Sequence, residues 1–347
     1  MSLSEQTVKH IIIITVDGFF GQAIPTEKSL DTESLKTELR SSGYEVSLMN
    51  LEDLANLDEE NTEGNAIYLI GSHQNPEIKN YINDVVSIKS GSKFNFLPRP
   101  ELILAHENKG VQCLLGKRYK LQLPQQDYLY NAKEPESRTV IKHISGAGSK
   151  MVFIAEDNNN YSARLFLSGL ILLTIRDVLY YMKSFVKTKI RWKHFSTDYI
   201  NFNKRYFRHV RQKFIKSPGY DFKVLVFFDR VYVLRREERT GDFRASGSGK
   251  FTFERPSNEL VRFALDLRRQ IDTPYISLDL IPGDEKYECI EFQCVHFGPY
   301  TQQFAPHYYT IENNELAEHA NSFSTEASYS YAIARYISSQ SNISATG

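Results

Sequence analysis

The sequence predicts an α/β domain over residues 1–100, followed by an α+β region of antiparallel hairpins. Two observations carry this reading. The unbroken run Ile11-Ile12-Ile13-Ile14-Thr15-Val16 suits a strand covered on both faces, and the helix and strand signals alternating after it imply a parallel sheet. From Arg138 onward, strand pairs joined by short turns replace that alternation.

In chain order, Asp17-Gly18 breaks the first strand. Asp31 caps a helix with Leu35 and Leu39 on one face, and Gly43 stops it. Residues 44–48 and 66–70 read as the second and third strands. Residues 139–144 and 151–154 form a hairpin across Ser145-Gly146-Ala147-Gly148-Ser149-Lys150. A second hairpin joins 222–228 to 231–235 at Asp229-Arg230, and a third joins 275–281 to 287–293 across Pro282-Gly283-Asp284-Glu285. Helices at 162–187 and 258–271 fill the gaps. The polar tail after Ile337 is expected to fray.

Composition narrows the function classes. The chain has 347 residues, 41% of them hydrophobic and 24% charged, which is an ordinary globular balance and room for two or three domains. Lys+Arg and Asp+Glu both number 42, so the chain as a whole is no generic polyanion binder. Cys113, Cys289 and Cys294 are too few and too irregular for a disulfide framework or a zinc knuckle, and read as reduced thiols of a cytoplasmic protein. The most apolar stretch, residues 165–182, holds Arg176 and Asp177 at its middle. Each central charge costs roughly 2.5–3.5 kcal/mol in a membrane, so a buried helix is expected there instead of a span. The Asp17-Gly18-Phe19-Phe20-Gly21 turn lacks the third glycine of a dinucleotide fingerprint, which excludes a NAD site.

Three features carry chemistry. In the third hairpin, alternation puts Ser277 and Asp279 on one face and Glu291 with Gln293 on the same side, while Ile276, Leu278, Ile290 and Phe292 point into a core. Converging hard oxygen donors suit Mg²⁺, which takes one or two carboxylates plus phosphate oxygens; the alternative is a solvated sheet face. Lys142, on a strand leading into Gly146-Ala147-Gly148-Ser149, can set an ammonium and backbone N–H groups around phosphate oxygens. The stretch Gly241-Asp242-Phe243-Arg244-Ala245-Ser246-Gly247-Ser248-Gly249-Lys250 is not a P-loop, because Arg244 replaces its first glycine and Phe251 its Ser/Thr. It reads as a flexible loop whose Arg244 could clamp a carboxylate or phosphate, with the Ser246 and Ser248 hydroxyls beside it. The alternative is a mobile surface loop.

In this order, from about residue 95 to residue 300, the three features resemble the ATP-grasp superfamily of carboxylate–amine ligases. Asn108-Lys109 opening a helix resembles the first ATP lysine. Lys142 and the loop with Gly146, Gly148 and Ser149 resemble the second lysine and the flap over the triphosphate. Gln212-Lys213-Phe214-Ile215 resembles the hinge whose backbone reads adenine, followed by Asp221-Phe222-Lys223, and Asp279, Glu291 and Gln293 resemble the Asp…Glu-x-Asn metal triplet. Two departures stand out: Gln293 replaces the usual Asn, and Gln212 stands where an acid is common. Asp-Phe-Arg-Ala-Ser-Gly-Ser-Gly looks most like members associated with bacterial surface-polysaccharide and peptide-ligase pathways.

The resemblance implies an N-terminal Rossmann-like pre-ATP-grasp domain over 1–100. After it come a small ATP-grasp subdomain over 101–215 with a basic helical insertion, and a C-terminal subdomain over 216–340 with the metal hairpin. It also implies ATP and Mg²⁺ (or Mn²⁺), with a carboxylate activated as an acyl phosphate and then joined to an amine. A phosphotransferase and a non-catalytic nucleotide or polyanion binder are the alternatives. Arg244 would hold the transferring phosphate. His296 could reach an amine, though a structural role is the plainer reading, and a homodimer is expected.

The family does not account for residues 183–216, which carry eleven Lys/Arg and one acid, Asp198. Trp192, Phe195, Tyr199, Phe202, Tyr206 and Phe207 interleave with these charges. Amphipathic helices with core-facing aromatics explain this; so does docking of a polyanion such as an acidic glycan, an anionic lipid head group or nucleic acid.

Overall fold

The computed structural model describes residues 10–21, 30–131, 137–144, 151–156, 161–170, 174–190, 196, 198, 206–283 and 286–344. Its elements begin with β1 (His10–Thr15), α1 (Thr32–Ser41), β2 (Glu45–Asn50), α2 (Leu51–Asn56), β3 (Ile67–Ile70), α3 (Pro76–Lys89) and β4 (Asn95–Leu97). There follow α4 (Pro100–Leu104), α5 (Lys109–Arg118), β5 (Gln126–Leu129), β6 (Thr139–His143), β7 (Val152–Ala155), α6 (Tyr161–Leu170), α7 (Ile175–Ile190) and β8 (His209–Lys213). The last part runs through β9 (Tyr220–Phe227), β10 (Arg230–Glu237), β11 (Phe251–Thr252), α8 (Asn258–Ile271), β12 (Tyr275–Pro282) and β13 (Tyr287–Gln293). It closes with α9 (Tyr300–Phe304), β14 (His307–Glu312), β15 (Glu315–Ala320) and α10 (Thr325–Ser344).

The chain divides into two compact units. The first comprises residues 1–106, 115–123 and 216–347; the second comprises residues 107–114 and 124–215.

Among the described residues the first unit has two sheets. One is parallel, in the order β2-β1-β3-β4. Ile11 and Ile13 of β1 enter one core with Leu35 and Leu39, while Ile12 and Ile14 enter another with Tyr68, Val86 and Phe96, so β1 is covered on both faces. Asp31 Oδ1 accepts from Ser34 N–H (2.6 Å) and starts α1; Gly43, at φ 93°, allows the reversal after it. The other sheet is antiparallel, β13-β12-β9-β10-β14-β15, with β11 paired to β10. Helix α8 is capped by Ser257, whose Oγ accepts from Leu260 N–H (3.1 Å), and it buries Leu260, Val261, Ala264 and Leu267.

Four expectations are corrected. The second hairpin turns at Phe228-Asp229, since Phe227 pairs with Arg230; Phe228 has a φ of 61° and donates its N–H to Pro274 O (2.9 Å). The tail does not fray at Ile337: α10 runs to Ser344, its Tyr329, Ile333 and Ile337 are core residues, and Gln340 Nε2 reaches Asp272 Oδ1 (3.1 Å). Ile290 is not a core residue. Asp279 faces Glu291 while Leu280 faces Cys289, so Ile290 is the extra residue of a β-bulge and is half-buried. Finally, residues 165–182 are not one buried helix. The described residues form α6 and α7, residues 171–173 lie outside them, and Ile175, Leu179 and Met182 are exposed.

The second unit is a four-stranded antiparallel sheet, β5-β8-β6-β7. Helix α6 packs one face through Tyr161 and Leu165 against Ile141 and Ala155. On that same face His143 Nε2 meets Ser168 Oγ (2.8 Å) and Tyr161 Oη meets His209 Nε2. Burial pulls the pKa of His143 down to about 4, and nearby His209 adds to the effect.

Candidate active site

In the second unit, the face opposite α6 holds the predicted phosphate-binding groups. Lys142 pairs with Val210, and Val140 with Gln212, so alternation puts Lys142 and Gln212 on one face, where both are buried. The start of α5 lies over this face: Asn108 Oδ1 accepts from Val111 N–H (3.2 Å), and Lys109 N–H donates to Ile144 O (3.1 Å). Gly110 permits that approach, since a Cβ there would come within 2.6 Å of the Tyr128 ring. Gln212 Nε2 donates to Gln126 Oε1 (3.1 Å). Lys213 N–H donates to Gln125 O (2.8 Å), and the Phe214 ring lies 4.3 Å beneath the Arg138 guanidinium. Ile215 ends the unit. Gly146, Gly148 and Ser149 lie outside the described residues.

In the first unit, one face of the antiparallel sheet carries a row of charges. Glu291 stands opposite Asp279, Asp279 opposite Lys223, and Gln293 opposite Ser277. Lys223 Nζ donates to Asp279 Oδ1 (2.8 Å) and Arg236 Nη2 lies 3.0 Å from Asp279 Oδ2. Arg236 also grips Asp221 bidentately (2.7 and 2.8 Å), and both side chains are buried. Burial disfavours the charge on Asp279. Arg236 and Lys223 more than offset it, so the pKa falls below the ordinary carboxylate value. Gln293 Nε2 contacts Glu291 Oε1 (3.5 Å).

The row is not a solvated sheet face, because every residue of β12 is at least half-buried. It also contains Arg236, which sequence reasoning missed, and Asp221, which the sequence marked only as part of the stretch after the hinge. The β9–β10 register holds their signal: a two-residue turn at Phe228-Asp229 pairs residues summing to 457, which sets Asp221 against Arg236.

Among the described residues no group of three or more His, Cys, Asp and Glu side chains is arranged to hold a metal. The donors that the sequence suggested are two carboxylates and the Gln293 carbonyl. Donors of that chemistry suit Mg²⁺, which takes one or two carboxylates and completes its shell with water and phosphate oxygens. Ser277 Oγ lies on this face, is buried and makes no hydrogen bond, as expected beside a polar ligand.

The loop after β10 is held by its own contacts. Arg244 Nε donates to both Asp242 carboxylate oxygens (3.0 and 2.7 Å), and those hydrogen bonds lower the Asp242 pKa. Arg239 donates to Ser246 O, and Ser248 Oγ accepts from Lys250 N–H (3.3 Å). Arg244 is thus aimed by Asp242, where the sequence suggested only a flexible guanidinium. His296 is fully buried next to Tyr329 (3.4 Å), and burial, with a smaller contribution from His106, pulls its pKa down to about 3. It is a structural residue. Of the basic segment, residues 191–195, 197 and 199–205 lie outside the described residues, including Trp192, Phe195, Tyr199 and Phe202. Phe207 packs against the α6 core, and Arg211 pairs with Asp127 (3.1 Å).

No protein-family model and no curated protein sequence matches the chain. Solved structures do. D-alanine–D-alanine ligase from Bacillus anthracis is similar over 97% of this chain and 99% of its own, at 13% identity and a TM-score of 0.52. A RiPP-associated ATP-grasp ligase from Chryseobacterium gregarium, solved with ADP and a leader and core peptide, is similar over 96% and 97%, at 12% identity and a TM-score of 0.51. The ATP-grasp ligase PsnB, solved with a minimal precursor, Mg and ADP, is similar over 95% and 97%, at 13% identity and a TM-score of 0.50. These similarities span nearly the whole chain, and the fold of this protein is the ATP-grasp fold.

Proposed function

We propose that the chain is an ATP- and Mg²⁺-dependent carboxylate–amine ligase. The observation that carries this reading is the Glu291–Asp279 pair, with Gln293 and the orphaned Ser277 hydroxyl beside it, on a chain with the ATP-grasp fold. Phosphoryl transfer from ATP to a substrate carboxylate releases ADP and gives an acyl phosphate. The amine nitrogen then bonds to the carbonyl carbon, phosphate leaves with the C–O electron pair, and the amine gives up a proton. Such chemistry depends on neutralising charge more than on acid–base groups.

Glu291, Asp279 and Gln293 hold the metal, which neutralises phosphate charge when bound. Lys223 and Arg236 keep Asp279 ionised and oriented. In the second unit Lys109 and Lys142 hold phosphate oxygens, together with the backbone at Gly146, Gly148 and Ser149. The Lys213-Phe214-Ile215 backbone reads adenine beside Gln212. Arg244, aimed by Asp242, takes the transferring phosphate with help from Ser246 and Ser248. The acid or the amine belongs to a surface glycan or a peptide; a peptide is favoured, because one similar ligase was solved with a leader and core peptide and another with a minimal precursor.

The test is ADP release against a panel of acids and amines. Release that requires one acid and one amine together, and that falls on the order of 10²–10³-fold in Glu291→Ala, supports the assignment. Release with an alcohol alone, or undiminished turnover in Glu291→Ala, sinks it.

A further inference from the structure

Among the described residues, nothing covers an apolar stripe on helix α7. Ile175, Leu179, Met182 and Val186 follow one another at spacings of four, three and four residues, which puts them on one helix face. They are 82, 61, 59 and 47% exposed. Arg176, Lys183, Lys187 and Lys189 on the same helix are exposed as well, and its one acid is Asp177. Tyr180 is also exposed. A helix of this length gains little from its backbone alone, so an uncovered stripe of this kind marks a surface that something else covers.

Charge selects the occupant. A second copy of α7 would set one row of cations against another. Nucleic acid would use the cations and leave four aliphatic side chains in water. An anionic bilayer surface accommodates both features: the stripe enters the acyl boundary, and the Lys and Arg stems carry their charges out to the head-group phosphates.

We propose that α7 is a peripheral docking element for membranes rich in anionic phospholipid. It brings the chain to the surface without crossing it; among the described residues no helix is long and apolar enough to span a bilayer. The inference concerns placement and stands apart from the ligase reading.

Flotation of the full chain with vesicles of phosphatidylcholine, alone or mixed with phosphatidylglycerol, tests it. The single tryptophan, Trp192, lies two residues beyond α7 and gives a second readout, a blue shift on insertion. At least tenfold stronger partitioning to the anionic vesicles is expected, weakened by salt. Lys183→Glu with Lys187→Glu should remove the anionic preference, and Leu179→Asp with Met182→Asp should remove binding, both at an unchanged melting temperature. Equal partitioning to both vesicle types overturns the proposal. So does binding that survives both double variants, or vesicles ignored while RNA, an acidic protein or a second copy is bound.

Discussion

Asp279 shows how much one residue's chemistry depends on its neighbours. Each of its two oxygens accepts from one cation, Lys223 or Arg236, and keeps a further lone pair, while Arg236 is held in turn by Asp221. Removing one partner of a buried ion pair leaves the other charge uncompensated. Arg236→Met should therefore destabilise the protein by about 3–5 kcal/mol in urea unfolding, because two carboxylates lose their cation. A loss below about 1 kcal/mol would show that water reaches the site. The folded-state pKa of Asp279 is depressed, so its contribution to stability is present above the ordinary carboxylate value and lost as pH falls below it.

At the scale of elements, the β12–β13 hairpin carries both the donor row and the bulge that ends it. The bulge takes up Ile290, so the strand can present Glu291 and Gln293 beside Asp279 and Ser277 and still return Cys289 to the core. Leu278→Ala should cost about 2–5 kcal/mol as a core truncation, whereas Ile290→Ala should cost less than about 1 kcal/mol. Thermal or urea unfolding of the two variants checks this. Equal losses would mean that Ile290 packs as a regular core residue.

At the scale of the molecule, buried neutral histidines couple stability to pH. His296 in the first unit and His143 in the second keep depressed pKa values, about 3 and about 4, because burial disfavours their charged forms. The unfolded chain takes up protons at these positions near pH ~6.5 and the folded chain does not, so stability falls as pH drops from there toward 4. His143→Gln should flatten the dependence of melting temperature on pH between 7 and 4.5, even if it lowers the temperature overall. An unchanged slope would show that His143 titrates equally in both states.

The sequence by itself determined the order of the parts. Its β-branched run, the Asp31 cap and the hairpin alternation placed β1, α1 and the Asp279–Glu291 face, because these depend on local periodicity and capping. Only the tertiary structure decided the rest. A hairpin turn misread by one residue shifts the pairing by two, and with Asp229-Arg230 as the turn Asp221 faces Glu238, which hides its pairing with Arg236. The approach of α5 over the Lys142 face, the burial of His296 and the exposure of α7 are likewise set by contacts between residues distant in sequence. Periodicity says which side of an element is apolar, but what covers that side depends on the packing of the whole chain.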